Sequence, residues 1–275
     1  MVLDTKTGPL YFEVTGAGPP LVFISGWAMS RECWRPVVAL LEKKYRCLIY
    51  DARGIGRSQP ASINARFDID DHAEDLHSLI EEAGFFDSVL IGHEMGGLVA
   101  AACASRRPQD MRALALVSPR SGISKAELAK LDLLTPASLV LRELAAFPII
   151  RNVVAWRFRR APQPHRDILF NDFAELSPRA AYETALSMAN SNSFALLEDL
   201  IERLDSPVLL VCGEKDKTGA DQARALFSRA RSGKLARVSG AGFLPMLEYP
   251  EQFARLLDIF AGGAYRGISQ ALSRA

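Results

Sequence analysis

The sequence predicts an α/β fold in which helices cover both faces of a mostly parallel, doubly wound sheet that carries a helical lid insertion. Short apolar or β-branched runs alternate with longer helical patterns, as expected for parallel strands joined by crossover helices. Several of these runs are apolar throughout, which indicates strands that are buried on both faces. The chain of 275 residues is long enough for one large domain with an insertion.

The apolar runs and helical patterns place the elements in order along the chain. The predicted strands are Leu10–Val14, Leu21–Ser25, Tyr45–Tyr50, Ser88–Ile91, Ala113–Val117, Val208–Cys212 and Lys234–Val238. The predicted helices are Arg35–Lys43, Ile69–Ala83, Gly96–Ser105, Ala220–Ser228 and Glu251–Ala261. The strand–helix alternation continues on both sides of one long gap, which indicates a single sheet interrupted by an insertion.

The gap covers residues 120–200 and is helical in pattern, with prolines as breakers. It is too long for an ordinary connection, so we predict a lid over 120–200 inserted into a core formed by 1–119 and 201–262. Residues 263–275 lose the helical pattern and are predicted to form a mobile tail.

Composition excludes several functional classes. The chain has 33 Lys+Arg against 32 Asp+Glu, which gives no reason to expect nucleic acid or membrane partners. The N-terminus lacks a secretory signal pattern, and the cysteines lack metal-ligand spacing. We therefore expect a cytoplasmic protein that needs no cofactor or metal and contains buried free thiols at Cys33, Cys47, Cys103 and Cys212.

The stretch IGHEMGG, residues 91–97, is the most informative motif. It joins a predicted strand to a small-residue helix through a tight glycine turn. Many hydrolases place a nucleophile, usually serine, at the centre of such a turn. Here that position is Glu94.

Four stretches together resemble the α/β-hydrolase fold superfamily, in its lidded, epoxide hydrolase or esterase-like branch. They are PPLVFISGWAMSRECWRPVVALLEKKYRCLIYDARGIGRS, IGHEMGG, PVLLVCGEKD and GAGFLPMLEYPEQF. The resemblance covers residues 8–262 apart from the lid, and its motifs occur in the family's order. It implies a catalytic triad in the order nucleophile, acid and histidine.

At the matching positions the triad is degenerate. Glu94 occupies the nucleophile position, Asp216 the acid position and Phe243 the histidine position. The resemblance also implies an oxyanion hole made by the backbone N–H groups of Trp27 and Met95. Side chains implied to line the substrate pocket are Ser25, Phe243 and Leu244.

Two carboxyls without an imidazole suggest unusual chemistry. If Glu94 and Asp216 lie close together, they resist joint ionisation and can act as general acid and general base. A helix N-terminus and two amide donors would instead lower the pKa of Glu94, and the sequence leaves the balance open. We predict a cofactor-free enzyme that uses Glu94 for isomerisation, cyclisation, elimination or hydration/hydrolysis of a small, largely apolar substrate.

Two other functions are compatible with the same residues. The protein could be a non-catalytic binding protein in which Glu94 caps the oxyanion donors, or a hydrolase with a rearranged base. In the lid, RNVVAWRFRRAPQPHR is either a solvated helix face or a docking surface for an anionic substrate tail or an acidic carrier protein.

The remaining polar motifs have structural interpretations. His93 is predicted to point away from Glu94, and His72 and His77 are predicted to be surface or packing residues. In DARGIGRS, Asp51 and Arg53 are predicted to fix the loop after a strand.

Overall fold

The computed structural model describes residues 1–59, 61–120, 167–168, 171–172, 177–190 and 193–272. Its sheet has the strand order β1-β2-β4-β3-β5-β6-β7-β8. The strands are β1 Val2–Thr5, β2 Gly8–Thr15, β3 Pro20–Ile24, β4 Arg46–Tyr50, β5 Ser88–His93, β6 Met111–Val117, β7 Val208–Gly213 and β8 Gly233–Val238. The pairs β1–β2 and β2–β4 are antiparallel and the other pairs are parallel, which confirms the predicted fold class.

Helices follow most of the strands. They are α1 Arg35–Leu41, α2 Ile69–Ala83, α3 Met95–Arg106, α4 Pro178–Asn190, α5 Ser193–Arg203, α6 Lys217–Arg229, α7 Pro245–Glu248 and α8 Pro250–Leu272. Every predicted strand and helix overlaps one of these elements. The strand that the sequence did not predict is β1, whose four residues alternate between exposed and half-buried positions at the sheet edge. A strand this short, VLDT, contains no apolar run from which it could be predicted.

The central strands pack apolar side chains on both faces. In β5, Leu90 belongs to a core cluster with side chains of α2 and α3, whereas Val89 and Ile91 belong to a cluster with side chains of α1 and α8. Successive side chains of a strand point to opposite faces, so one apolar run supplies both cores. Because both faces of the central strands are covered by helices, these strands contain continuous apolar runs.

The C-terminal part of the predicted lid packs against the core. Met188 of α4 and Leu197 of α5 are buried in the same cluster as the side chains of α3. The predicted boundary at residue 200 therefore falls inside a core helix. Residues 121–166, which include His165 and the arginine-rich stretch, lie outside the described residues.

The last helix continues beyond the predicted end of the core. It runs through Leu272, and the Tyr265 hydroxyl donates a hydrogen bond of 2.6 Å to the Pro20 carbonyl oxygen. The helix and its side-chain contacts therefore extend past residue 263, and the mobility of 263–275 stays a prediction. None of the helices in the described ranges is long and apolar enough to cross a membrane.

Candidate functional site

Glu94 lies in the tight turn between β5 and α3. Its φ of 48° and ψ of −108° are strained for a residue with a side chain. Its N–H donates a hydrogen bond of 3.0 Å to the Val117 carbonyl oxygen at the end of β6. The turn therefore fixes the Glu94 backbone at the carboxyl edge of the parallel strands, where ligand sites of open α/β sheets form.

Two glycines let the turn close. A Cβ on Gly92 would lie 2.4 Å from the Gly96 carbonyl oxygen, and a Cβ on Gly96 would lie 2.3 Å from the Ile24 carbonyl oxygen. Neither position accepts a side chain without backbone movement. The glycines of IGHEMGG thus bring α3 against β3 and β5 and present Glu94 at its start.

The Glu94 carboxylate accepts both predicted oxyanion-hole donors with a single oxygen. The N–H of Trp27 donates to Oε2 at 2.8 Å, and the N–H of Met95 donates to the same atom at 2.9 Å. Within the part of the chain that the structure describes, Oε1 accepts no hydrogen bond. Both donors therefore bind the same oxygen of the carboxylate.

Burial has the largest effect on the pKa of the Glu94 carboxyl. It raises the pKa of the carboxyl above its usual value, although the hydrogen bonds from Trp27 and Met95 and the charge of Arg120 lower it. The balance that the sequence left open therefore favours the protonated form more than in a solvated glutamate.

The loop that carries Trp27 is held from several sides. The Trp27 indole N–H donates to the Ala181 carbonyl oxygen of α4 at 2.9 Å. The Ser25 hydroxyl donates to the Ser30 carbonyl oxygen at 3.1 Å, and the Ser30 N–H donates to Asp172 Oδ2 at 2.8 Å. Ser25, predicted to line the pocket, is 5% exposed and points into its own loop, where it stabilises the segment that presents the Trp27 amide.

Asp216 caps α6 instead of pairing with Glu94. Its Oδ1 accepts the Gly219 N–H at 3.1 Å and lies 3.3 Å from Nη2 of Arg120. In the described residues no hydrogen bond joins Asp216 to Glu94. The Arg120 guanidinium is the charged partner of Asp216, and the proton-sharing pair stays a prediction.

The ring of Phe243 packs between the side chains of His93 and Arg120. Its ring centroid lies 4.6 Å from that of His93, and the Arg120 guanidinium lies 4.4 Å from its centroid on a ring face. Its carbonyl oxygen accepts hydrogen bonds from His93 Nε2 and Ser118 Oγ, each at 3.1 Å. These contacts fix the ring at the position that the resemblance assigns to the catalytic histidine.

His93 and Leu244 belong to the supporting layer. Burial lowers the pKa of His93 to about 3, although its bond to Phe243 opposes this shift, so the imidazole is neutral near pH 7. Its Nε2 donates to the Phe243 carbonyl oxygen. Leu244, predicted to line the pocket, is 1% exposed and packs in the core cluster with α1 and α8.

The sequence analysis missed Arg120. It follows β6 by three positions, and its place after a parallel strand at the carboxyl edge was the available signal. A loop arginine three residues beyond a strand has no motif of its own. The described residues also contain no group of three or more His, Cys, Asp or Glu side chains arranged to hold a metal ion.

Comparisons with known proteins give a consistent family. The chain is 26% identical over 262 residues to a pimeloyl-[acyl-carrier protein] methyl ester esterase of Nitrosospira multiformis, covering 92% of this chain and 98% of that protein. It is 34% identical over 98 residues to the non-heme chloroperoxidase CPO-A1 of Kitasatospora aureofaciens, covering 35% of each. Three further curated relatives are matched over only 33% to 58% of their own length.

Solved structures agree on the fold. An esterase from Thermogutta terrifontis superposes with a TM-score of 0.79 at 23% identity, covering 96% of this chain and 98% of that one. A bromoperoxidase from Bacillus anthracis superposes with a TM-score of 0.78 at 20% identity, covering 92% and 95%. Residues 21–256 match the alpha/beta hydrolase family. With this match over most of its length, the chain belongs to the alpha/beta hydrolase family.

Proposed function

We propose that this protein is a cofactor-free enzyme that moves a proton on a small, largely apolar substrate, with Glu94 as the general base and acid. One observation carries the proposal: two backbone N–H groups hold Glu94 Oε2, and among the described residues Oε1 accepts no hydrogen bond. A carboxylate held in this way is oriented for proton abstraction. Burial, which raises its pKa, makes it a stronger base than a solvated glutamate.

Ordinary ester hydrolysis fits the geometry poorly. A tetrahedral intermediate needs both backbone donors for its oxyanion, and Glu94 Oε2 already occupies them. The phenyl ring of Phe243 cannot accept the proton that an imidazole would take. A covalent ester formed through Glu94 would also need an activated water to release the product. Isomerisation needs only that a proton leave one carbon and return to another, so it suits this site best. Elimination needs in addition a leaving group that departs with the electron pair of its own bond.

A second candidate is a binding protein without catalysis. The observation in its favour is the same pair of hydrogen bonds, because donors that Glu94 already satisfies require no substrate oxyanion. The two candidates differ in the role of the Oε1 lone pair, which only the enzyme needs.

The proposal is tested by proton exchange. The protein is incubated with a cell extract in D₂O, and metabolites that gain deuterium or change structure are identified by mass spectrometry. Glu94→Gln keeps the shape and one acceptor oxygen, so it should retain binding and lose the exchange. Glu214→Gln is the control, since this surface carboxylate also accepts a backbone N–H, from Gly240 at 2.7 Å. Exchange that persists undiminished in Glu94→Gln would refute the catalytic role and favour a different base.

A further inference from the structure

Arg120 lies three residues beyond Val117, whose carbonyl oxygen accepts the Glu94 N–H, and it has no counterpart among the predicted site residues. We propose that Arg120 stabilises the substrate oxyanion in this protein, and that the substrate is therefore a neutral carbonyl compound with an acidic C–H next to the carbonyl or conjugated with it. This inference rests on the proposed proton transfer by Glu94 and names its substrate class.

The need for a new oxyanion site follows from the occupied donors. When a base removes a proton next to a carbonyl, the electron pair of the C–H bond moves into the enolate and its charge collects on oxygen. That oxygen requires a donor or a cation in the transition state. Because the Trp27 and Met95 amides bind Glu94 Oε2, they are not available for it.

Arg120 is held where it can take this role. Its side chain is 25% exposed, so part of it is open to solvent. The Phe243 ring supports one face of the guanidinium, and Asp216 Oδ1 receives one hydrogen bond from Nη2 at 3.3 Å. A guanidinium carries several N–H donors, and among the described residues Arg120 uses one of them. The remaining donors are oriented by a rigid ring and a helix cap.

The charges of the site favour a neutral substrate. Asp216 already compensates Arg120, so a permanently charged carboxylate would meet an arginine whose charge is largely neutralised and an aspartate that repels it. Proton abstraction instead transfers one negative charge from Glu94 to the enolate oxygen and leaves the total unchanged. Return of the proton from Glu94 to the same carbon, or to a conjugated one, restores both partners and completes an exchange or an isomerisation.

The probe for this role is benzoylacetone, a neutral and largely apolar 1,3-diketone whose enolate absorbs in the near ultraviolet. Its ionisation is titrated by absorbance with and without excess protein. The wild-type protein should lower its apparent pKa by about one unit or more, a tenfold preference for the enolate. Arg120→Met should abolish this shift. Arg120→Gln, which keeps a donor but no charge, should lose most of it.

The matched control is Arg112→Met. Arg112 also stacks on an aromatic ring, with its guanidinium 5.0 Å from the Tyr265 centroid, and pairs with Asp87, but at the opposite edge of the sheet. This variant should shift the diketone as the wild type does. A wild-type protein that leaves the diketone pKa unchanged, or an Arg120→Gln or Arg120→Met variant that shifts it fully, would overturn the assignment.

Glu94→Gln separates this inference from the proposed function. Removing the carboxylate removes a negative charge next to the enolate, so the diketone shift should persist or increase while deuterium exchange is lost. If exchange survives in Glu94→Gln but the diketone shift depends on Arg120, the base is wrong and the oxyanion site is right. If exchange requires Glu94 but the shift ignores Arg120, the proposed function stands and this inference fails.

Discussion

At the scale of single residues, the site is organised by a carboxylate that occupies its own oxyanion donors. In a serine hydrolase those two amides stabilise negative charge that develops on the substrate oxygen during the reaction. Here they bind charge that belongs to Glu94 before any ligand arrives. Under the proposed function, the same backbone geometry would orient a base instead of stabilising a transition state.

The buried carboxylate should reduce stability as pH rises. Because the folded-state pKa of Glu94 is raised above 4.5, its contribution to stability is complete below that value and is lost as pH increases through the folded-state pKa. Glu94→Gln does not titrate, so its melting temperature relative to the wild type should rise over the same interval. Differential scanning calorimetry between pH 4 and pH 8 measures the difference between the two melting temperatures. A wild-type melting temperature that rises relative to that of the variant with increasing pH would contradict a raised pKa.

The residues around Glu94 also predict how an esterase could be rebuilt. Glu94→Ser frees the amides but lacks a base, so it should hydrolyse p-nitrophenyl acetate poorly. Phe243→His adds an imidazole, yet Arg120 already engages Asp216. We therefore expect the double variant to exceed the single one, and a triple variant with Arg120→Ala to exceed both, with a total gain of about a hundredfold or more. Equal burst rates for the single and triple variants would show that the backbone does not place the histidine correctly.

At the scale of elements, the loop between β3 and α1 couples the site to the region around Asp172. Asp172 accepts the buried Ser30 N–H, and Ser30 in turn accepts the Ser25 hydroxyl two positions before Trp27. Burial raises the pKa of Asp172 to about 6. The loop that presents the Trp27 amide is therefore hydrogen-bonded to this carboxyl.

Two substitutions separate the acceptor from the charge of Asp172. Asp172→Ala leaves the Ser30 N–H without its acceptor and should lower the free energy of unfolding by about 1–3 kcal/mol. Asp172→Asn keeps an acceptor oxygen and removes the charge. In the wild type that charge lowers the free energy of unfolding as pH rises through about 6, so the asparagine variant should become more stable relative to the wild type above that pH. Urea unfolding at pH 5 and pH 8 tests both expectations. An asparagine variant as unstable as the alanine variant at pH 8 would show that the negative charge itself is needed.

The elements also show which features a sequence can reveal. Buried parallel strands such as β5 and β7 contain a continuous apolar run, so the sequence locates them to within a residue or two. The IGHEMGG turn is equally visible, because two of its positions have no room for a side chain. Arg120, by contrast, acquires its role from neighbours that are distant in sequence, Phe243 and Asp216, and no local pattern encodes that contact.

At the scale of the whole molecule, the sheet separates two apolar cores and one polar edge. The clusters on its two faces bind the helices, whereas the turns at the carboxyl ends of β5, β6 and β7 carry Glu94, Arg120 and Asp216. Because parallel strands end together, residues from three separate motifs meet at one edge. Resemblance of motifs therefore predicted the fold. The charge balance at this edge, in contrast, required the positions of all three side chains.

The other end of the sheet depends on the C-terminal helix, which gives a test of the whole fold. The hydroxyl of Tyr265 donates to the Pro20 carbonyl oxygen at the start of β3, and its ring packs against the core cluster of α1 and α8. Deleting residues 263–275 should lower the free energy of unfolding by about 2 kcal/mol, from one hydrogen bond and part of an aromatic side chain. Deleting only 267–275 keeps these contacts and should cost clearly less, and Tyr265→Phe should cost about 1 kcal/mol. If chemical denaturation gives the same stability for both deletions, α8 contributes nothing through Tyr265, and the core ends near residue 262 as the sequence pattern predicted.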